Sequence, residues 1–517
     1  MASGQAVEPA GQDEAVAFLS DPSHYPGNVD KVVRIDTHAA VIFLAGDHAY
    51  KMKRQVRFSF LDFTTLPQRE RAIRAELALN RPNAPEIYFQ VEALRRQPEG
   101  SLAFDADGPV VEWLLVMRRF DETQTLDLVS ERGGLSPALL DDLSDAVLAY
   151  HRKAPVLAPP FGGAEAVERL IEENDADLTA WPDLFPPEVT AALRSEALRW
   201  LERLRDLLDR RRAAGRVRRC HGDLHLGNIV LWYHRPLLFD CIEFSEEIAG
   251  IDVFYDLAFL LMDLVHRGLV AEANQVLNRY LLFADDYEGL AALPLFLSLR
   301  AAVRAKVSAP AAAAQADAAA AGHLREEAAV YFAQAHDDLV PAQARLVAVG
   351  GLSGTGKSTL AACLAPYLGS APGAVWLRSD SLRKVLLDQP LDAPLGKEAY
   401  AADVTERVYG ELRARAERSL AAGRCVLIDA VHGRPEERDA LAALAARLGV
   451  PFHGLWLDAP LDLRKDRVSA RRGDASDADA AVVAHQESYD LGEIGWARLD
   501  AGQPLARLEE QAKDLLV

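Results

Sequence analysis

Eight residues, Gly351-Leu352-Ser353-Gly354-Thr355-Gly356-Lys357-Ser358, carry the spacing G-x-x-x-x-G-K-[ST]. Glycines so spaced let successive backbone N–H groups converge on phosphate oxygens. The flanks fit: Arg345 to Gly350 is a short apolar strand candidate, and Thr359 to Ala365 has helix-forming composition. A helix starting there adds its positive end to the phosphate site. Gly351, Ser353, Gly354, Thr355, Gly356, Lys357, Ser358 and Thr359 are therefore expected to line a nucleotide site. Lys357 would reach the β- and γ-phosphates, and Ser358 would ligate Mg²⁺.

A second group lies upstream. Cys220-His221-Gly222-Asp223-Leu224-His225-Leu226-Gly227-Asn228 is followed by Leu238-Phe239-Asp240-Cys241-Ile242-Glu243-Phe244. An acid, an amide five residues later and a second acid across a hairpin suit metal-assisted phosphoryl transfer. Asp223 would accept a hydroxyl proton or orient the nucleophile, while Asn228 and Asp240 would hold Mg²⁺. His221 is expected to brace the loop; His225 suits either bracing or chemistry.

Downstream of the glycine loop, Ser379-Asp380 ends a strand and opens a helix. Either residue suits a helix cap; the chemical reading makes Asp380 a general base, with Arg383 gripping the acceptor or the phosphate. Cys425 to Ala430 is a buried-strand pattern ending in Asp429, placed to support Mg²⁺. Arg464, Arg467 and Arg471 recur at helical spacing on one face.

The elements that position these groups differ between the two halves. Short strands are expected at 32–35, 40–44 and 48–53, a helix at 67–80, and strands near 86–93 and 110–117. Helices follow at 137–152, 164–175 and 187–213, so a β-rich start precedes a helical body. Residues 217–240 interrupt that body with a hairpin, and helices resume from Asp252. The alanine-rich stretch 309–321 suits a linker or a helix. From Leu346 strand and helix alternate, which implies an α/β fold with a parallel sheet flanked by helices.

Composition narrows the function classes. The 517 residues are too many for one core. A formal net charge of -20 argues against a nucleic-acid partner. Four cysteines without a C-x-x-C pair suggest neither a zinc site nor a disulfide framework, which fits a cytoplasmic location. No signal peptide is read at the N-terminus, and the apolar run Leu257–Val265 is too short to span a membrane and contains Asp263.

The segment H-G-D-L-H-x-x-N with F-D-x-I-E-F resembles the aminoglycoside phosphotransferase-like family, which shares the protein-kinase fold. The resemblance covers about residues 30–340. It implies a bilobal α+β domain in which Asp223 is the catalytic base and Asn228 and Asp240 bind metal. It also implies that Lys51, on His48-Ala49-Tyr50-Lys51, pairs the α/β-phosphates, with Lys53 as a rival. Glu76 would be its partner on the next helix, and Trp113 to Arg119 the interlobe hinge; Asp252 and Asp256 would be structural. No G-x-G-x-x-G covers the phosphates; the first turn is Asp36-Thr37-His38-Ala39-Ala40. Residues 346–500 are similar to P-loop kinases of the zeta-toxin, gluconate-kinase and polynucleotide-kinase type. That likeness makes the 464–471 helix a lid in which Arg467 and Arg471 stabilise transferring charge.

The expected organisation is a lead-in over 1–30, a kinase-like domain over 31–340 (lobes about 31–118 and 119–340) and a P-loop kinase domain over 341–517. The expected function is a bifunctional ATP- and Mg²⁺-dependent kinase acting on hydroxyls of small-molecule acceptors, with no membrane partner. The alternatives are that one domain senses nucleotide for the other, or that the P-loop domain phosphorylates nucleic-acid ends.

Overall fold

Alternating apolar residues at 32–53 and 88–118 satisfy the period of a half-buried strand. In the computed structural model, which describes residues 12–58, 61–104, 106–470 and 476–516, they form a six-stranded antiparallel sheet. The strands of this part of the chain are β1 (Val32–Asp36), β2 (Ala40–Ala45), β3 (His48–Lys53), β4 (Arg57–Phe58), β5 (Leu61–Asp62), β6 (Tyr88–Arg96), β7 (Leu102–Phe104) and β8 (Val110–Arg118). The sheet order is β1-β2-β3-β8-β6-β7, and β4 pairs with β5 apart from it. The chain folds as two compact units, Met1–Gly163 with Arg210–Leu257, and Ala164–Asp209 with Ala258–Val517.

In the first unit the two faces of β3 have different duties. Tyr50 and Met52 join a core with Phe43, Leu114 and Val116. Ala15 and Leu19 of the helix Asp13–Ser20 complete that core. Residues 12–24 are therefore not a loose lead-in; they cover one sheet face. Lys51 and Lys53 point to the opposite face, as period two requires. There the helix Leu66–Asn80 presents Ile73, Glu76 and Asn80 as buried residues. Its start is set by Pro67 in the first turn and by Gln68, whose side chain accepts from the Thr65 N–H at 2.8 Å.

Trp113 lies within β8, under the Arg74 guanidinium at 4.7 Å, so the expected hinge at 113–119 is a sheet strand as far as Arg118. Strands β9 (Val217–Arg219) and β12 (Gly250–Asp252) pair with each other. The hairpin of β10 (Ile229–Trp232) and β11 (Arg235–Leu238) separates Asn228 from Asp240.

In the second unit the alternation from 346 produces a five-stranded sheet of β13 (Leu346–Gly350), β14 (Val375–Arg378), β15 (Val426–Asp429), β16 (Phe452–Asp458) and β17 (Ala497–Asp500). All pairings are parallel, in the order β14-β15-β13-β16-β17. The chain reverses direction of sheet growth at β13, and the crevice outside its C-terminal end is where such sheets bind ligands. β17 was not expected; of its four residues only Leu499 is buried, too few to show a period. The alanine-rich stretch is helical, split between Leu293–Ala314 and Ala318–Asp337. Small buried residues at Ala301, Ala302, Ala305, Ala309 and Ala312 face inward, and the Ser298 hydroxyl donates to the Ala335 carbonyl at 2.7 Å.

β14 is an edge strand, whose outward N–H and C=O groups need partners. The helix Val270–Ala284 meets this edge at Trp376 and just before the strand at Pro372 and Ala374. The Asn274 amide donates to the Pro372 and Ala374 carbonyls at 2.9 and 3.0 Å, and Asn278 Oδ1 accepts the Trp376 N–H at 2.7 Å. Arg415 and Arg418 of the helix Ala402–Ala421 pair with Asp285 at 3.2 and 3.1 Å. Replacing Asn278 by Leu leaves the Trp376 N–H without its acceptor. The expected loss is about 1–3 kcal/mol, seen as a lower denaturation midpoint by chemical unfolding; an unchanged midpoint would show that the edge does not need this partner.

Candidate active sites

The first site is built on a chain of five charges. Lys51 Nζ lies 2.7 Å from Glu76 Oε1 and 2.6 Å from Asp240 Oδ1. Lys53 Nζ lies 2.6 Å from Glu76 Oε2, as an ion pair without hydrogen-bond geometry, and 2.5 Å from Glu243 Oε1. Glu76 is fully buried. Burial pushes its carboxyl up, but the two lysines outweigh that and hold it at about 2. Burial works against the charge on Lys51 as well, yet Asp240 and Glu76 raise its pKa. Burial raises Glu243, the cluster's other enclosed carboxyl, despite Lys53.

Asp240 sits at φ 60°, a left-handed conformation that asparagine and aspartate tolerate. Its N–H donates to the Tyr88 hydroxyl at 3.0 Å, and the Cys241 N–H to Asn80 Oδ1 at 2.9 Å. The loop bearing Asp240 is thereby fixed to β6 and to the Glu76 helix.

Asp223 is held from two sides. Asn228 Nδ2 donates to its carbonyl at 2.9 Å and its carboxylate at 2.8 Å. The Gly227 N–H donates to His225 Nδ1 at 3.1 Å, which leaves the ring proton on Nε2, 3.5 Å from Asp223 Oδ2. His225 thus orients Asp223. His221 is fully enclosed; burial lowers its pKa, so the ring is neutral, and Nε2 lies 2.9 Å from the Phe239 carbonyl, the bracing geometry expected. Asp256 accepts from the N–H groups of His221 and Gly222 at 3.0 and 2.9 Å, and Asp252 takes a bidentate pair from Arg211 at 2.8 and 2.7 Å. Both aspartates are structural. The Asp240 carboxylate and the Asn228 amide oxygen are hard-oxygen donors of the kind Mg²⁺ prefers.

The second site is the loop after β13. Gly351, Gly354 and Gly356 have φ of 138°, 83° and 93°. A Cβ at Gly354 would lie 2.5 Å from the Arg464 carbonyl oxygen, and one at Gly351 2.6 Å from that of Leu457. Glycine is thus required by both backbone conformation and close approach. The helix Lys357–Leu364 begins directly at the loop, with Ser358 and Thr359 in its first turn. Lys357 Nζ donates to the Leu352 carbonyl at 3.2 Å, and the Thr355 hydroxyl to the same atom at 2.9 Å.

Asp429 ends β15 next to β13 and is buried; burial raises its pKa, with Arg378, Lys357 and a Ser358 hydrogen bond opposing. Its Oδ2 is buried without a hydrogen-bond partner, 3.6 Å from Arg378 Nε. An orphaned carboxylate oxygen beside the Ser358 hydroxyl is a fitting donor pair for a cation.

Asp380 lies in the first turn of the helix Ser379–Leu386, whose N-cap is Arg378, without a side-chain cap bond. Neither Ser379 nor Asp380 therefore caps it. Arg383 is buried, donating to the Ala399 carbonyl at 2.7 Å and lying over the Tyr400 ring at 4.8 Å. Its Nη1 also donates to Thr405 Oγ1 at 3.3 Å, and among the described residues its Nε is buried without a hydrogen-bond partner. Arg464 and Arg467 share the helix Leu461–Ala470. Arg467 donates to the Thr355 carbonyl at 3.2 Å and the Ala501 carbonyl at 2.9 Å; Arg464 pairs with Glu487. Arg471 lies outside the described residues.

Sequence reasoning missed two groups. Glu243 was legible only as one acid among several, because its partner Lys53 is 190 residues away. Gln486, in the helix Ala480–Gln486, accepts the Ser353 N–H at 2.7 Å, and no spacing rule could have paired it with the loop.

Sheet, glycine loop and acid pairs together define a phosphotransferase with two kinase-like domains. Residues 44–293 match the phosphotransferase enzyme family, and residues 346–489 match an AAA domain. The uncharacterized protein Rv2004c of Mycobacterium tuberculosis is 32% identical over 499 residues, which cover 92% of this chain and 94% of that protein. Among solved structures, a choline/ethanolamine kinase family protein from Mesorhizobium loti is 16% identical, covering 63% of this chain and 98% of its own, with a TM-score of 0.36. The Mycobacterium tuberculosis APS kinase CysC, in complex with AMPPNP and APS, is 20% identical over 34% of this chain and 99% of its own, with a TM-score of 0.26. The chain belongs to the family of the mycobacterial protein Rv2004c, and in this chain a phosphotransferase-family domain precedes a P-loop kinase-like domain.

Because Glu76 is held at about 2, below its ordinary 4.5, its ion pairs contribute fully above about 4.5, and that contribution is lost as pH falls towards 2. Glu76→Gln should destabilise the protein at neutral pH and flatten its acid-unfolding limb between those values. Thermal unfolding across that range checks this; a limb superimposable on the wild type would contradict it.

Proposed function

We propose that the chain is a bifunctional ATP-dependent kinase that transfers the γ-phosphoryl group to hydroxyls of small-molecule acceptors, with one site in each domain. The observation that carries this reading is the presence of two separate phosphate-handling sets, one in each folded unit. The first unit contains the Lys51–Glu76–Asp240 ion-pair group and the Asp223–Asn228 pair, and the second contains the glycine loop, whose strand pairs with the one that ends in Asp429.

In the first site Asp223 would take the acceptor hydroxyl proton, its carboxylate oriented by Asn228 and His225. Lys51 would bind phosphate oxygens, and Asn228 and Asp240 would hold Mg²⁺, which neutralises phosphate charge. In the second, Lys357, the loop N–H groups, Ser358 and Asp429 would bind nucleotide and Mg²⁺, Asp380 would act as base, and Arg467 would stabilise transferring charge. A net charge of -20 disfavours polyanionic acceptors such as nucleic-acid ends. Among the described residues no helix is long and apolar enough to cross a membrane.

A second reading makes the P-loop domain a nucleotide sensor; the Gln486 side chain on the Ser353 N–H favours it, since a loop amide is already engaged. Transfer from labelled ATP into a metabolite pool separates the two. Asp223→Asn and Lys357→Ala should each abolish a different labelled product, by about 100-fold or more, and the double variant should abolish both. Loss of one and the same product in both single variants, with no second product in the wild type, would overturn bifunctionality in favour of the sensor.

A further inference from the structure

The five-charge chain is not equally accessible along its length. At one end the Asp240 side chain is 41% exposed and that of Lys51 11%. At the other, Lys53 and Glu243 are 4% and 5% exposed, with Glu76 fully buried between the ends. An arriving nucleotide phosphate can meet only the open end. Lys51 there is shared between Glu76 and Asp240, and binding phosphate oxygens weakens its hold on Glu76. A buried carboxylate that loses its cation is strongly destabilised. Glu76 has a second cation, because its two oxygens face different lysines.

We propose that Lys53 and Glu243 are positioning residues, a closed clamp that keeps Glu76 and its helix in place when Lys51 is drawn to phosphate. The clamp rests on the reading of this site as a nucleotide site. Glu243 holds the Lys53 ammonium from the far side, so its position does not depend on Lys51. Lys53, with only 4% of its side chain exposed, would not itself be a phosphate ligand. Sharing one carboxylate between two lysines two residues apart needs both on one strand face, which the period of β3 provides.

The test compares binding of ATP with Mg²⁺ and of adenosine, by calorimetry on the full chain carrying Lys357→Ala to silence the glycine loop. Adenosine has no phosphate and makes no demand on Lys51. Lys53→Met should lower the preference for ATP over adenosine by about tenfold or more, leaving adenosine affinity unchanged. Lys53→Arg should restore most of that preference. Because Lys53→Met strands the buried Glu243 carboxylate while Glu76 keeps Lys51, the double variant Lys53→Met/Glu243→Met, which removes the pair together, is measured beside it with its melting temperature. A folded double variant that keeps the parent's ATP preference would overturn the clamp. Equal losses for ATP and adenosine would reduce the pair to a structural role and overturn it as well. A parent chain showing no ATP preference at all would sink the nucleotide-site reading, and the clamp with it.

Discussion

Burying Glu76 is the constraint around which the first unit is arranged. A carboxylate with no exposure costs several kcal/mol in lost hydration unless cations meet it. Meeting it from β3 requires that strand's other face to be apolar, and Tyr50 and Met52 make it so. The requirement also explains why the helix Asp13–Ser20 is folded, since the apolar face needs a cover. On the polar side, the same carboxylate dictates where the Asp240 loop closes, because Lys51 joins the two acids. Sheet, helix and the Asp240 loop are thus aligned by one ionised group.

The second unit solves a related problem without a buried ion pair at its centre. Its loop must turn backbone N–H groups inward, so its glycines adopt positive φ and pack directly on backbone from β16 and the helix Leu461–Ala470. The apolar β13, β15 and β16 hold that loop rigidly, since Val347, Val349, Leu427, Leu455 and Leu457 form one core with the helix that follows the loop. Arg467 and Gln486 then reach the loop's own carbonyl and amide groups, so the segments flanking residues 471–475 are tied to it from both ends.

What sequence revealed followed the range of each signal. The glycine loop, its strand and its helix are contiguous, and the fold has them as expected over 346–364. The Asp223–Asn228 pair was legible for the same reason. Lys51 was singled out through a resemblance, but Lys53 could not be separated from it, and in the structure both meet Glu76. Glu243 and Gln486 gain their significance from partners 190 and 133 residues distant, which periodicity does not encode. Helix 13–20 was hidden by the prolines and glycines around it, and β17 by its single buried residue.

The two asparagines that complete β14 bear on how this protein can be divided. A side-chain amide offers a donor and an acceptor much as a peptide group does, so Asn274 and Asn278 act as a substitute for a sixth strand. A fragment beginning near residue 341 would keep the whole five-stranded sheet yet lose this substitute. Its bare β14 edge would then be a template for pairing with another copy, turning a capped sheet into a self-associating one. The natural unit for handling the glycine-loop site on its own therefore reaches back at least to residue 270, well into the segment that matches the phosphotransferase family.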